Sequence, residues 1–117
     1  MHLVCPAGSL PALKAALQQG ADAIYVGFRD DTNARHFAGL NLDERQLETG
    51  LQLIRQRGRQ LYVAVNTYAQ PQGWARWQRA VDQAAALGVD ALIAADPGVL
   101  AYARQRHPDL NLHLSVQ

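Results

Sequence analysis

The chain has 117 residues, 49% of them apolar, with 11 basic and 10 acidic side chains and a net charge of +1. That balance lacks the basic stripe of a broad nucleic-acid binder, and residues 1–6 carry no basic segment running into a long apolar core. No nucleic-acid partner, secretory leader or transmembrane segment is therefore expected, and the chain reads as a cytoplasmic domain. Its one cysteine, Cys5, excludes an internal disulfide and cannot by itself ligate zinc or an iron–sulfur cluster.

The apolar spacing predicts nine elements in strict alternation. A strand over residues 3–5 ends in Pro6-Ala7-Gly8, and Ser9 caps a helix over residues 10–19 with Leu10, Leu13 and Leu17 on one face. Gly20 closes that helix, a second strand covers residues 23–27, and a polar loop follows from Phe28 to Leu40. Asn41 with Glu44, or Asp43 with Gln46, offers a cap for helix two, whose buried stripe is Leu47, Leu51 and Ile54 and which ends at Gly58. Strand three spans residues 61–65, and Asn66-Thr67-Tyr68-Ala69-Gln70-Pro71 is its exit loop. Helix three covers residues 73–87, with Trp77, Val81 and Ala84 at helical spacing. Trp74 and Trp77 read as packing residues rather than a stacking platform. Strand four spans residues 91–95, Asp96-Pro97 opens helix four, and Pro108 stops it. Leu110, Leu112, Leu114 and Val116 then alternate as strand five.

One phrase occurs twice. Gly20-Ala21-Asp22-Ala23-Ile24-Tyr25-Val26-Gly27 recurs in kind as Gly88-Val89-Asp90-Ala91-Leu92-Ile93-Ala94-Ala95, each time after an Ala-rich amphipathic stretch. Glycine closes the helix and an apolar run begins a buried parallel strand, so the phrase marks two helix-to-strand joints. The class is repeating β/α. Two architectures remain open from the pattern. One is the N-terminal half, about five strands and four helices, of a TIM-type (β/α)8 barrel, which takes about 250 residues when closed. The other is a five-stranded doubly wound open parallel sheet.

In either architecture the chemistry belongs at the C-terminal ends of the strands. The polar residues there are Arg29, Asp30, Asp31, Asn33, Arg35 and His36 after strand two, and Asn66, Thr67 and Tyr68 after strand three. Asp96 follows strand four, and Ser115 with Gln117 follows strand five. Arg35 is the candidate anchor for a carboxylate or other substrate oxygens, because guanidinium is planar and permanently charged. Its alternative is an ion pair with Asp30 or Asp31 that orders the loop. His36 is the candidate proton carrier, and Asn66 the candidate for orienting a substrate oxygen. Asp30, Asn33 and Thr67 complete the proposed substrate-binding set. Asp96 reads as a helix cap. Asp22 and Asp90 sit at the opposite, N-terminal rim and read as structural, binding amides at the joints. Arg55, Arg57 and Arg59 read as cations complementing a helix dipole. No metal-ligand pair emerges, nor a nucleophile with a base beside it.

Several of these segments resemble the collagenase-like peptidase family, peptidase U32, and most closely its UbiU-type branch. The matching stretches are Leu3-Val4-Cys5-Pro6-Ala7-Gly8, residues 20–27, Asn66-Thr67, residues 74–82 and His113-Leu114-Ser115-Val116-Gln117. Most specific is Asp30-Asp31-Thr32-Asn33-Ala34-Arg35-His36-Phe37-Ala38-Gly39-Leu40-Asn41. The resemblance spans the whole chain and the N-terminal part of such a protein. It implies a β/α-barrel component of oxygen-independent ubiquinone biosynthesis that hydroxylates the ring of a lipophilic quinone precursor as a heterodimer with a UbiV-like paralogue. It also implies a 4Fe–4S cluster held by cysteines beyond Gln117, none of them matched by Cys5, so that this stretch carries no cofactor of its own. Peptidase activity and RNA hydroxylation are the other activities that the family resemblance brings. Cutting a barrel after strand five leaves an unpaired apolar edge, so the isolated chain is expected to self-associate.

Overall fold

The computed structural model describes residues 2–28, 32 and 42–114. Its elements are β1 (Val4–Pro6), α1 (Leu10–Gln18), β2 (Ala23–Gly27), α2 (Glu44–Gln56), β3 (Gln60–Val65), α3 (Trp74–Leu87), β4 (Ala91–Ala94), α4 (Pro97–Arg106) and β5 (Leu112–Leu114). The local signals explain the boundaries. Ser9 Oγ accepts the Ala12 N–H at 3.2 Å and starts α1. Of the two caps available to α2, Asp43 is described, and it forms a reciprocal box: it accepts from Gln46 N at 2.8 Å while its own N–H donates to Gln46 Oε1 at 3.0 Å. Asp96 caps α4 ahead of Pro97, as the dipeptide requires. Gly20 (φ +90°) and Gly88 (φ +74°) are left-handed, which is why each repeated phrase begins with glycine.

The five strands are all parallel and lie in sequence order, β1-β2-β3-β4-β5. This separates the two architectures. A doubly wound sheet reverses its strand order and carries helices on both faces. Sequential order with right-handed crossovers stacks every helix on one face, as in an arc of a β/α barrel. The packing agrees. Ile24, Val26, Leu61, Val63, Val65 and Leu92 form a single buried cluster with Leu13 and Leu17 of α1, Leu47 and Ile54 of α2, Trp77 and Val81 of α3, and Val99 of α4. The open doubly wound alternative is set aside.

Some expectations shift. Phe28 is not the start of a solvated loop: it is buried and forms an isolated parallel bridge with Leu42, extending the β2 line. Leu51 is half-buried, because the α2 stripe runs through Leu47, Gly50 and Ile54. Gly50 lies within 2.8 Å of Leu13 Cδ1 when a Cβ is built on it, so the lack of a side chain lets α1 and α2 approach closely. Strand five is shorter than its alternation: Leu110 precedes it at a turn, and Val116 is outside the described residues. Trp77 is a core residue at 1% exposure, while Trp74 is half-buried and meets Tyr102 edge-on.

Candidate functional site

Strand alternation gives the sheet a second face, free of helices. Register places Pro6, Tyr25, Tyr62 and Ala91 in one row across it, and Gly27, Ala64, Ile93 and His113 in the next row toward the C-terminal ends. Tyr62 bends toward the N-terminal side, its hydroxyl donating to Gln60 Oε1 at 2.8 Å, and its ring meets His113 edge-on at 5.3 Å. Bulk therefore sits low on this face. Above it, Gly27 and Ala64 bring almost no side chain to the centre of the sheet, and both are buried. Asn66 follows the last residue of β3 at this rim.

The exit loops are fastened to one another. The Thr67 N–H donates to the Thr32 carbonyl at 3.4 Å, tying the loop after β3 to the loop after β2. Thr32 is fully buried. Trp77 Nε1–H donates to Thr67 Oγ1 at 3.3 Å, so α3 also grips this loop from the core side. Asp96 has two tasks. Its Oδ1 accepts from Gly98 N at 2.7 Å as the α4 cap, and its Oδ2 accepts from Ala69 N at 2.8 Å. The cap reading of Asp96 holds, but its second carboxylate oxygen also positions the β3 exit loop.

Of the residues singled out from sequence, Asn66 and Thr67 lie half-buried at this rim. Asp30, Asn33, Arg35 and His36 are outside the described residues, as are Arg29, Asp31, Asn41, Ser115 and Gln117. Sequence reasoning passed over Thr32, although it lies inside the most specific phrase. It also missed the tie from Trp77 to Thr67. The usable signal was chemical: a buried indole needs an acceptor for its N–H, and a threonine stands on the neighbouring loop.

The opposite rim is a set of cross-links. Asp22 Oδ2 accepts the Leu3 N–H at 2.6 Å and its Oδ1 pairs with Arg59 at 3.1 Å. The amide bond from Leu3 is the main reason its carboxyl lies below the usual value. Asp90 Oδ2 accepts the Leu61 N–H at 2.7 Å and the Arg55 guanidinium at 2.7 Å. Each repeated Gly-x-Asp thus pins the first residues of the strand before its own. Arg55 also donates to the Gly88 carbonyl at 2.8 Å, so its role exceeds dipole complementation.

A third polar group lies between α3 and α4. Asp82 accepts from the Tyr102 hydroxyl at 2.9 and 3.1 Å and lies 2.7 Å from His107 Nε2. Burial pushes the Asp82 carboxyl up, but the His107 and Tyr102 bonds overcome it and hold it below the ordinary value. Burial and then Asp82 raise the Tyr102 phenol. Among the described residues no three His, Cys, Asp or Glu side chains converge as a metal-holding group. Cys5 is a single thiol on β1, in register with Ile24 and packed against the helix-side core. A 4Fe–4S cluster takes four thiolates, so this stretch does not fit that cluster. No described helix is long and apolar enough to cross a membrane.

A sequential parallel sheet with helices on one face defines a β/α-barrel type of protein. The chain belongs to peptidase family U32, whose model matches residues 8–117. It is 30% identical to tRNA hydroxylation protein P of Escherichia coli (strain K12) over 99% of this chain and 25% of that protein. It is 32% identical to tRNA hydroxylation protein P of Helicobacter pylori over the whole chain and 28% of that protein. A collagenase of Porphyromonas gingivalis is 30% identical over 99% of this chain and 27% of its own length. The chain thus spans about a quarter of the curated relatives it matches. In three dimensions it resembles a U32 peptidase with a TM-score of 0.75 at 17% identity, covering 98% of this chain and 48% of that structure. The HMG-CoA lyase of Brucella melitensis follows with a TM-score of 0.68 at 15% identity, over 97% of this chain and 47% of that structure. At these identities the likeness speaks to the fold, and the fold is that of TIM-type barrels.

Proposed function

We propose that this chain belongs to a protein of oxygen-independent ubiquinone biosynthesis that assists hydroxylation of the ring of a lipophilic quinone precursor. The observation that carries the reading is the phrase of residues 30–41. It follows β2 at the rim where a β/α barrel places its chemistry, and it resembles the UbiU-type branch. Two relatives carry hydroxylation in their names, which supports that reaction type over peptide cleavage. Arg35 anchors a substrate oxygen through its forked N–H donors, with Asp30 and Asn33 on the same loop. Asn66 and Thr67 orient the ring from the β3 side, and His36 moves a proton at the oxygen being introduced. The 4Fe–4S cluster draws its thiolates from outside these residues, and the working unit is a heterodimer with a UbiV-like paralogue.

A second reading is hydroxylation of an RNA base, favoured by the tRNA substrate in the names of those same two relatives. The net charge of +1 offers this chain little of the counterion-releasing surface that RNA binding uses. Deleting the full-length gene and growing cells without oxygen separates the two. Loss of ubiquinone with unchanged tRNA and rRNA nucleosides by mass spectrometry supports the quinone reading. Normal ubiquinone with a missing hydroxylated nucleoside replaces it with the RNA reading.

A further inference from the structure

We infer that Tyr68 is a substrate-contacting residue of this site, its ring packing against the aromatic ring of the quinone precursor at the barrel mouth. The inference rests on the quinone reading and adds a contact that the sequence pattern does not assign.

Tyr68 is 61% exposed, the one exposed aromatic among the large hydrophobic side chains of the described residues. Exposure alone says little, since single surface aromatics are ordinary. What distinguishes Tyr68 is its backbone. The residue before it is held twice, by Thr67 N to the Thr32 carbonyl at 3.4 Å and by Trp77 Nε1 to Thr67 Oγ1 at 3.3 Å. The residue after it is held by Ala69 N to Asp96 Oδ2 at 2.8 Å, and Ala69 packs on the core. Three elements outside the loop therefore fix the main chain on both sides of a ring that faces solvent.

Such a ring loses only its own two side-chain torsions when it is covered. It offers an apolar face for a planar partner and a hydroxyl at its tip, which suits a phenolic or quinonoid ring. Asn66 lies half-buried two residues earlier on the same loop.

The test uses the full-length protein in an anaerobic deletion strain, scoring the initial rate of ubiquinone formation beside the melting temperature of each purified variant. An aromatic pair is worth about a 2- to 12-fold change in binding. Tyr68→Ala is expected to lower the rate by that factor with no shift in melting temperature, and Tyr68→Phe, which keeps the ring, to restore most of it. Wild-type synthesis from Tyr68→Ala, in a strain shown to need the gene, overturns the inference and leaves the quinone reading standing. Equal loss from Tyr68→Phe assigns the effect to the hydroxyl and overturns the ring contact. A marked fall in melting temperature makes the residue structural and also overturns it. Normal ubiquinone in the deletion strain, with or without a missing RNA nucleoside, removes the reading and the inference together.

Discussion

Replacing Asp90 with alanine asks what holds the N-terminal rim in register. The Asp90 carboxylate accepts the Leu61 N–H and the Arg55 guanidinium, both at 2.7 Å. The first contact fixes the head of β3, whose Leu61 side chain is fully buried. A hydrogen bond to an ionised acceptor contributes about 1.5–3 kcal/mol, and its loss strands a part-buried amide. The second contact is weaker. Arg55 is 41% exposed and Asp90 26%, so solvent screening leaves the ion pair about 0.2–1 kcal/mol.

Asp90→Ala should therefore cost about 2–4 kcal/mol, roughly 8–16 °C in melting temperature for a chain of this size. Arg55→Ala spares the amide bond but removes both the ion pair and the bond to the Gly88 carbonyl, and for so exposed a side chain should cost about 1 kcal/mol. Asp90→Asn keeps an acceptor oxygen but loses the charge and should fall between them, at about 1–2 kcal/mol. Urea unfolding followed by circular dichroism reads all three. Equal losses from Asp90→Ala and Arg55→Ala would refute the account, because the Arg55 contacts and not the amide bond would then hold the rim. So would a loss below about 0.5 kcal/mol for Asp90→Ala, which is the range of an ordinary surface change.

Restored to the full-length protein, Arg35→Ala should abolish anaerobic ubiquinone synthesis with little change in melting temperature, and Asn66→Ala should weaken it. A large stability loss from Arg35→Ala would instead favour the loop-ordering ion pair. The Asp82 carboxyl titrates below its ordinary value near 3.8, so its contribution is complete above that pH and is lost as pH falls through the lower folded-state value. The stability gap between wild type and Asp82→Asn should narrow below about pH 3.8, and a gap that widens toward acid would contradict the sign. The isolated 117-residue chain should self-associate through β5, where Leu114 is 66% exposed on an edge strand. Light scattering across a dilution series reads this, and a stable monomer at high concentration would dismiss it.

The elements were legible because local signals agreed with one another. Ser9, Asp43 with Gln46, Asp96-Pro97, and the glycines at 20 and 88 each state a boundary in side-chain chemistry, and the structure places boundaries within a residue or so of them. Strand order was not legible. Apolar alternation is the same in a barrel arc and a doubly wound sheet, and only the pairing of β1 through β5 in sequence order separates them. Contacts across loops were hidden for a related reason. Thr32 to Thr67, Trp77 to Thr67 and Asp96 to Ala69 join residues whose proximity depends on the sheet already being formed. The carboxylates at 22 and 90 were read as binding amides at the joints, and the amides they bind, Leu3 just before β1 and Leu61 in β3, belong to the neighbouring strand lines.

The two rims divide the polar residues by task, and the division follows from the topology. At the N-terminal ends, Asp22 and Asp90 receive amides and arginines, so their charge is spent within the fold. At the C-terminal ends, the carboxylate of Asp96 and the hydroxyl of Thr67 are engaged in holding backbone and indole. Their engagement fixes the loop that carries Asn66 and Tyr68, which the Thr32 carbonyl also holds through the Thr67 N–H. Backbone held in this way carries projecting side chains that need no ordering of the loop before they make a contact. An aromatic ring held at this rim by Asn66 and Tyr68 would lie beside the tie between Thr67 and Thr32.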